Sequence, residues 1–201
     1  MSGRITVLPD DRLVAHHGTV QQSFRRAAAC ICEGGFDDFF DSTMREFFCG
    51  CLAARGAHEG TVWLINAEGI ALIPRFNNGP NATGFVDKFQ QSLSTGMISA
   101  VVATEQPMCE NAVQLNHARD PSLDRKLGVR TCAMLAVPFY FAGELRGVIS
   151  AVQLARADST EPEPPGFSPE ALAALQVNAA VLGRLLERKL LGAVLGLEES
   201  S

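Results

Sequence analysis

The chain has 201 residues, a hydrophobic content of 47%, a charged content of 19% and a formal net charge of −5. That length fits one large domain, or one domain with helical extensions, and the composition is that of a globular chain and not a disordered one. The acidic balance argues against a general nucleic-acid binder, which carries a basic face. No uninterrupted apolar run is long enough to span a bilayer, and Met1 to Asp11 lacks the apolar core of a secretory signal, so the expectation is a cytoplasmic protein that engages neither nucleic acid nor membrane.

In chain order, residues 1–17 read as a flexible N-terminal segment with Pro9, Asp10, Asp11 and the pair His16-His17. Thr19 is a candidate cap for a helix that runs to about Cys32, where Gly34-Gly35 breaks it. A second helix is expected from Phe36 or Asp37 to about Arg55, with Phe39, Phe40, Phe47, Phe48 and Leu52 as apolar members and Gly56 as its stop. Helical spacing alone accounts for these aromatics, so they read as core. Strands follow at Thr61–Asn66 and Ile70–Phe76, joined by a turn at Ala67-Glu68-Gly69. Asn77 to Asn81 is a loop by composition. Short helices are expected over Gly84–Ser92 and Gly96–Thr104, then a brief extended piece through Cys109. The segment Asn111–Lys126 is polar and irregular, with a helical turn around Pro121–Arg125.

Two apolar runs, Cys132–Phe141 and Leu145–Leu154, flank the turn Ala142-Gly143-Glu144 and form a hairpin signal. Pro138 cannot donate to a ladder and belongs at a bulge, an edge or a strand end. Ala157 to Gly166, with Pro162, Pro164 and Pro165, is a linker, and Phe167 or Ser168 opens a long final helix with Pro169 in its first turn. This order yields an α+β fold, an antiparallel sheet with helices on its sides.

Of the six cysteines, Cys30 and Cys32 form one C-x-C pair and Cys49 and Cys51 another. Four thiolates could make a zinc site, but both pairs fall in expected helices, where residues i and i+2 point about 200° apart. Small buried or half-buried thiols are the preferred reading, and no metal is expected. Nucleophile-elbow, H-E-x-x-H and Gly-rich phosphate-loop motifs are all absent, so the chain reads as a non-enzyme. His58 and His117 read as surface histidines.

The pattern made by Gly128, Arg130, Thr131, Leu135, Val137 and Pro138, then Gly147, Val148, Ile149, Val152, Gln153 and Leu154, resembles the second half of a GAF domain. Thr61–Gly69 resembles the opening hairpin of that family, Ser94–Pro107 its helix-and-turn motif, and Gly166–Leu172 the start of its last helix. The resemblance covers roughly residues 20 to 190. It implies a single GAF-like domain over 18–190 that includes packed terminal helices, with 191–201 as helix end and tail. It also implies a sensory or regulatory module that holds a small molecule between the sheet and a lid running from Phe76 to Lys126, and signals through its terminal helices, with an effector protein as a further partner. Candidate ligand-binding residues on this basis are Trp63, Phe76, Phe85, Phe89, Met97, Ile98, Cys109, Asn111, Cys132 and Met134; no cofactor is assigned. Asn111, polar and close to the lid, stands out among them.

Three subgroups of the family set alternatives. A cysteine-based redox enzyme, like the free methionine sulfoxide reductases, would use Cys109 or Cys132. Bilin attachment lacks its signature, because Asn116 and not cysteine precedes His117. Cyclic-nucleotide binding matches at Phe167 but not at Ala155 or Ala171, where the subgroup has Asn and Asp. A ligand-free dimerisation module is a further alternative. The final helix carries Leu172, Leu175, Ala179, Leu182, Leu186, Leu190, Val194 and Leu197 in steps of three or four. Beyond Leu186 this stripe is expected to overrun the domain and, with the first helix (Val20, Phe24, Ala27, Ala28, Ile31), to form a homodimer seam.

Overall fold

The computed structural model describes residues 11–156 and 162–197. Most of the N-terminal segment 1–17, half of the Pro-rich linker and the last four residues lie outside the described residues. A short turn of helix, α1 (Asp11–Val14), precedes α2 (His17–Cys30), which begins two residues before the expected cap and has no side-chain cap at all. A wide helical turn, Ile31–Gly35, joins α2 to α3 (Phe36–Phe39). The single helix expected up to Arg55 is in fact two, because the chain breaks at Phe40. Asp41 then takes an extended conformation and accepts a hydrogen bond from the Met44 amide at 2.9 Å, capping α4 (Ser42–Ala53). An aspartate followed by a new helical turn is a start signal, and it outcompetes continuation. Asp41 also pairs with Lys189 of the final helix, and that contact, ahead of the cap itself, holds its carboxyl below the usual carboxylate range.

The strands are β1 (Glu59–Ile65), β2 (Ala71–Asn77), β3 (Gln91–Ser92), β4 (Met108–Glu110), β5 (Val129–Phe141) and β6 (Glu144–Arg156), in one antiparallel sheet of order β3-β2-β1-β6-β5-β4. The hairpin β5–β6 joins its two longest strands, of 13 residues each. Ala142 and Gly143, both at positive φ (55° and 75°), make the tight turn whose twist suits two long strands. Pro138 stands well inside β5, but β4 pairs only as far as Ala136, so the proline lies on the outer edge where no ladder bond is lost. The expected helix over Gly84–Ser92 is shorter and earlier, α5 (Ala82–Phe85), and only its last two residues form β3, after a turn.

The two sheet faces have different partners. On one, Val62, Leu64, Leu135, Val137, Phe139, Ile149 and Ala151 meet α2, α3, α4 and the long helix α8 (Pro169–Leu195). On the other, Trp63, Leu72, Ala136 and Val148 meet α6 (Met97–Thr104) and the irregular segment that contains the turn Val113–Leu115 and α7 (Ser122–Leu127). The α+β class expected from the element order is the observed one, with the first and last long helices in contact.

Helix α8 starts where Ser168 accepts from the Ala171 amide, with Pro169 in the first turn. Its stripe is buried as far as Leu190 and not exposed from Leu186 on as expected from the sequence; Val194 is half-buried and Leu197, just past the helix, is exposed. Leu182, Leu186 and Leu190 are 0% exposed, because the helix lies along β5 and α2 covers what the sheet does not. Length alone suggested an overrun; the contact with α2, itself expected, reaches far enough to cover this stretch. The apolar residues that α8 does expose, Val177, Val181, Leu191 and Leu195, lie on its other side.

Candidate functional site

Alternation along a strand decides which residues reach the second face. Glu59, Thr61 and Trp63 of β1, Asn77 of β2, Ser150, Val152 and Leu154 of β6, and Thr131 and Met134 of β5 share it. Together with residues of α5, α6, α7 and the Val113–Leu115 turn they enclose a cavity of about 100 Å³. Its floor is the sheet and its roof is the 78–127 segment.

The walls are held by polar side chains that spend their capacity on one another. Trp63 Nε1 donates to Ser150 Oγ at 2.9 Å, tying β1 to β6. Asn77 Nδ2 donates to Thr61 Oγ1 at 2.9 Å and to the Gly60 carbonyl at 3.2 Å. In the roof, Asp124 accepts from the Thr131 amide (3.0 Å), the Thr131 hydroxyl (2.7 Å) and Arg119 Nη2 (2.9 Å), which staples α7 to β5. Asp120 accepts from the Ser122 amide at 2.9 Å and from Gln91 Nε2 at 3.2 Å; the Ser122 contacts above all hold its carboxyl below the usual range. Glu59 is the exception. Burial pushes its pKa up, with a partial offset from the neighbouring Asn77 amide and from His58.

Of the ten residues the sequence singled out, Trp63, Phe85, Met97, Ile98 and Met134 line the cavity. Phe89 stands behind the wall, edge-on to Trp63 at 6.3 Å. Phe76 is on the opposite sheet face, in an aromatic cluster with Phe40 and Phe48. Cys132 is also elsewhere. It is the extra residue of a bulge between Thr131 and Ala133, which moves it away from the face that Thr131 and Met134 share. Cys109 is exposed and near the Phe167 carbonyl. Burial raises the pKa of both thiols, so neither is poised as a thiolate. None of the six cysteines is in a disulfide, and among the described residues no three His, Cys, Asp or Glu converge as a metal-binding group.

Asn111 has a different place from the one expected. Its Nδ2 donates to the Phe167 carbonyl at 2.9 Å and its Oδ1 accepts from the Phe167 amide at 2.8 Å, a two-way pair like a ladder rung. Gln153 does the same one residue earlier, accepting from the Gly166 amide at 2.8 Å and donating to its carbonyl at 3.2 Å. The two amides clamp the chain immediately before α8. Asn111 stands two residues from Val113, which lines the cavity roof.

The polar lining, Glu59, Thr61, Asn77, Gln91, Arg119, Asp120, Asp124, Thr131 and Ser150, was missed in the sequence. Its signal was the parity of β1: if Trp63 faces the cavity, so must Thr61 and Glu59.

A single antiparallel sheet with helices on one face and a roofed cavity on the other defines a small α+β domain. The chain belongs to the GAF domain family, whose model matches residues 38–186; such domains are typically regulatory or sensory modules. The fold is similar to the GAF domain of a phosphoenolpyruvate-protein phosphotransferase from Coxiella burnetii, with 17% identity, a TM-score of 0.63, and coverage of 89% of this chain and 97% of that one. It is similar too to the GAF domain of an Acinetobacter phosphoenolpyruvate-protein phosphotransferase, with 14% identity, a TM-score of 0.56, and coverage of 89% and 97%. A third similar structure is the type II free methionine-R-sulfoxide reductase of Thermoplasma acidophilum, with 19% identity, a TM-score of 0.55, and coverage of 75% and 94%. At these identities the likeness is one of fold. No curated protein sequence matches the chain significantly. Among the described residues no helix is long and apolar enough to cross a membrane.

Proposed function

We propose that the chain is a non-catalytic regulatory module that takes a small molecule in this cavity and passes its occupancy to α8. The observation that carries the reading is the join between roof and helix. The cavity roof runs through Val113 to Asn111, and Asn111 holds Phe167 by two hydrogen bonds immediately before the first turn of α8. A ligand that shifts the roof shifts the start of the helix, which lies along β5 and α2. The thiol-enzyme alternative is disfavoured by the position of Cys109 and Cys132 outside the cavity and by the raised pKa of both. The homodimer belongs to the same reading, with its seam moved to the outer face of α8, where Val177 is 62% exposed, Leu191 42% and Leu195 47%. An effector protein would read the same helices.

The test is a fragment screen followed by amide chemical shifts. Hits are expected to move Ile98, Val113 and Thr131 together, with a smaller response at Phe167. Hits that all map to other surfaces would overturn the reading and favour a dimerisation module with no ligand.

A further inference from the structure

We infer that the cavity selects a small ligand carrying a protonated amine, with Glu59 as its counter-ion; this rests on the cavity being a ligand site. Three carboxylates, Glu59, Asp120 and Asp124, line it against one cation, Arg119. Two of the three are already supplied with donors: Asp124 by Thr131 and Arg119, Asp120 by Ser122 and Gln91.

Glu59 is not so supplied. The residue is 9% exposed, and the closest amide, Asn77 Nδ2, directs its hydrogen bonds to the Gly60 carbonyl and Thr61 Oγ1. On its other side the carboxylate rests against Gly79, where an added Cβ would lie 2.2 Å from Oε2. The neighbouring Asn77 amide offsets this burial only in part, and a largely buried carboxylate short of donors is costly. It is also the one lining acceptor with capacity to spare, so a ligand that brings an ammonium group satisfies it. The shielded Nε of Arg119 does not argue for an acid instead, since Arg55, Arg75, Arg130 and Arg146 share that feature far from any common site. Size sets the body. The cavity, at about 100 Å³, is about two-thirds of the ~150 Å³ that admits the six carbons of benzene, which leaves room for about four heavy atoms, a three-carbon chain and its amine.

The chain has a single tryptophan, Trp63, and it is in the cavity wall, so its emission reports on occupancy directly. n-Propylamine, 1-propanol and propionate are titrated at neutral pH into the wild type and into Glu59→Gln. Propylamine is expected to bind at least about tenfold more tightly than propanol, the scale of one charge-assisted hydrogen bond, and propionate more weakly than either. Glu59→Gln is expected to bind propanol as the wild type does and to lose the preference for the amine. It should also melt at or above the wild-type temperature, since a buried amide costs less than a buried charge; this shows that lost binding is not lost fold. Propionate binding as tightly as propylamine, or an unchanged amine preference in Glu59→Gln, would overturn the assignment. If propanol binds as well as the amine, the cavity stands as a ligand site and the charge selection fails. If none of the three moves Trp63, both readings fail together.

Discussion

Leu186→Glu combined with Leu190→Glu is expected to abolish the folded state. Both side chains are 0% exposed in the core formed by α2, α8 and β5. Truncating one such leucine to alanine costs about 2–5 kcal/mol, and a buried unpaired carboxylate costs more. Two of them exceed the roughly 5–15 kcal/mol that holds a domain together. Loss of the cooperative thermal transition in circular dichroism is the readout. Leu191→Glu with Leu195→Glu is the contrast. These residues are 42% and 47% exposed, so the pair should change stability by less than about 1 kcal/mol in total, and on the dimer reading it should sediment as a monomer. A folded Leu186→Glu, Leu190→Glu protein would mean that α8 is not packed as described.

The second large effect sets two identical substitutions against each other. An alanine Cβ at Gly183 would lie 2.2 Å from the Tyr140 carbonyl oxygen, where α8 presses on β5. Backbone on both sides cannot yield as a flexible side chain would. The helix-propensity gain of about 1 kcal/mol for Gly→Ala is therefore outweighed by an overpacking cost of about 3 kcal/mol, and Gly183→Ala is expected to lose about 2 kcal/mol net. At Gly192 of the same helix the nearest atom to an added Cβ is the Leu197 carbonyl oxygen at 3.7 Å, an ordinary contact. Gly192→Ala is expected to gain about 0.5–1 kcal/mol. Urea unfolding of both variants gives the two signs. The same sign for both would show that α8 does not approach the sheet closely at Gly183.

How much of this the sequence carries differs between elements. The hairpin β5–β6 was legible because two long apolar runs around a Gly-containing turn have few other solutions. The start of α8 was legible from Ser168-Pro169, and the roofed face from the long polar stretch after Pro107. Two misplaced residues share one cause. Strict alternation puts Cys132 on the same face as Met134, but a bulge inserts it between Thr131 and Ala133 and reverses the parity. A second shift, where Val62 pairs with Phe76 but Trp63 with Pro74, leaves Phe76 among the helical aromatics while Asn77 faces the cavity. Bulges follow from tertiary curvature and have no local signature here. Asn111 was singled out as a polar residue near the lid. That it grips Phe167, 56 residues on, needed the fold. The α8 stripe was correct in its periodicity and in its contact with α2, but Leu190, expected to overrun the domain, is buried, since spacing says that a face is apolar and not how much of it is covered.

The central claim is that the cavity roof and α8 move as one. Amide hydrogen exchange resolved by residue tests it most directly, with and without a fragment that shifts Ile98 and Thr131. The account predicts slower exchange on binding both at Val113 and at Gly166–Leu172. In Asn111→Ala, protection at Val113 should remain and that at Gly166–Leu172 should vanish. Protection confined to the cavity walls in the wild type, or protection of Gly166–Leu172 that survives Asn111→Ala, would contradict it.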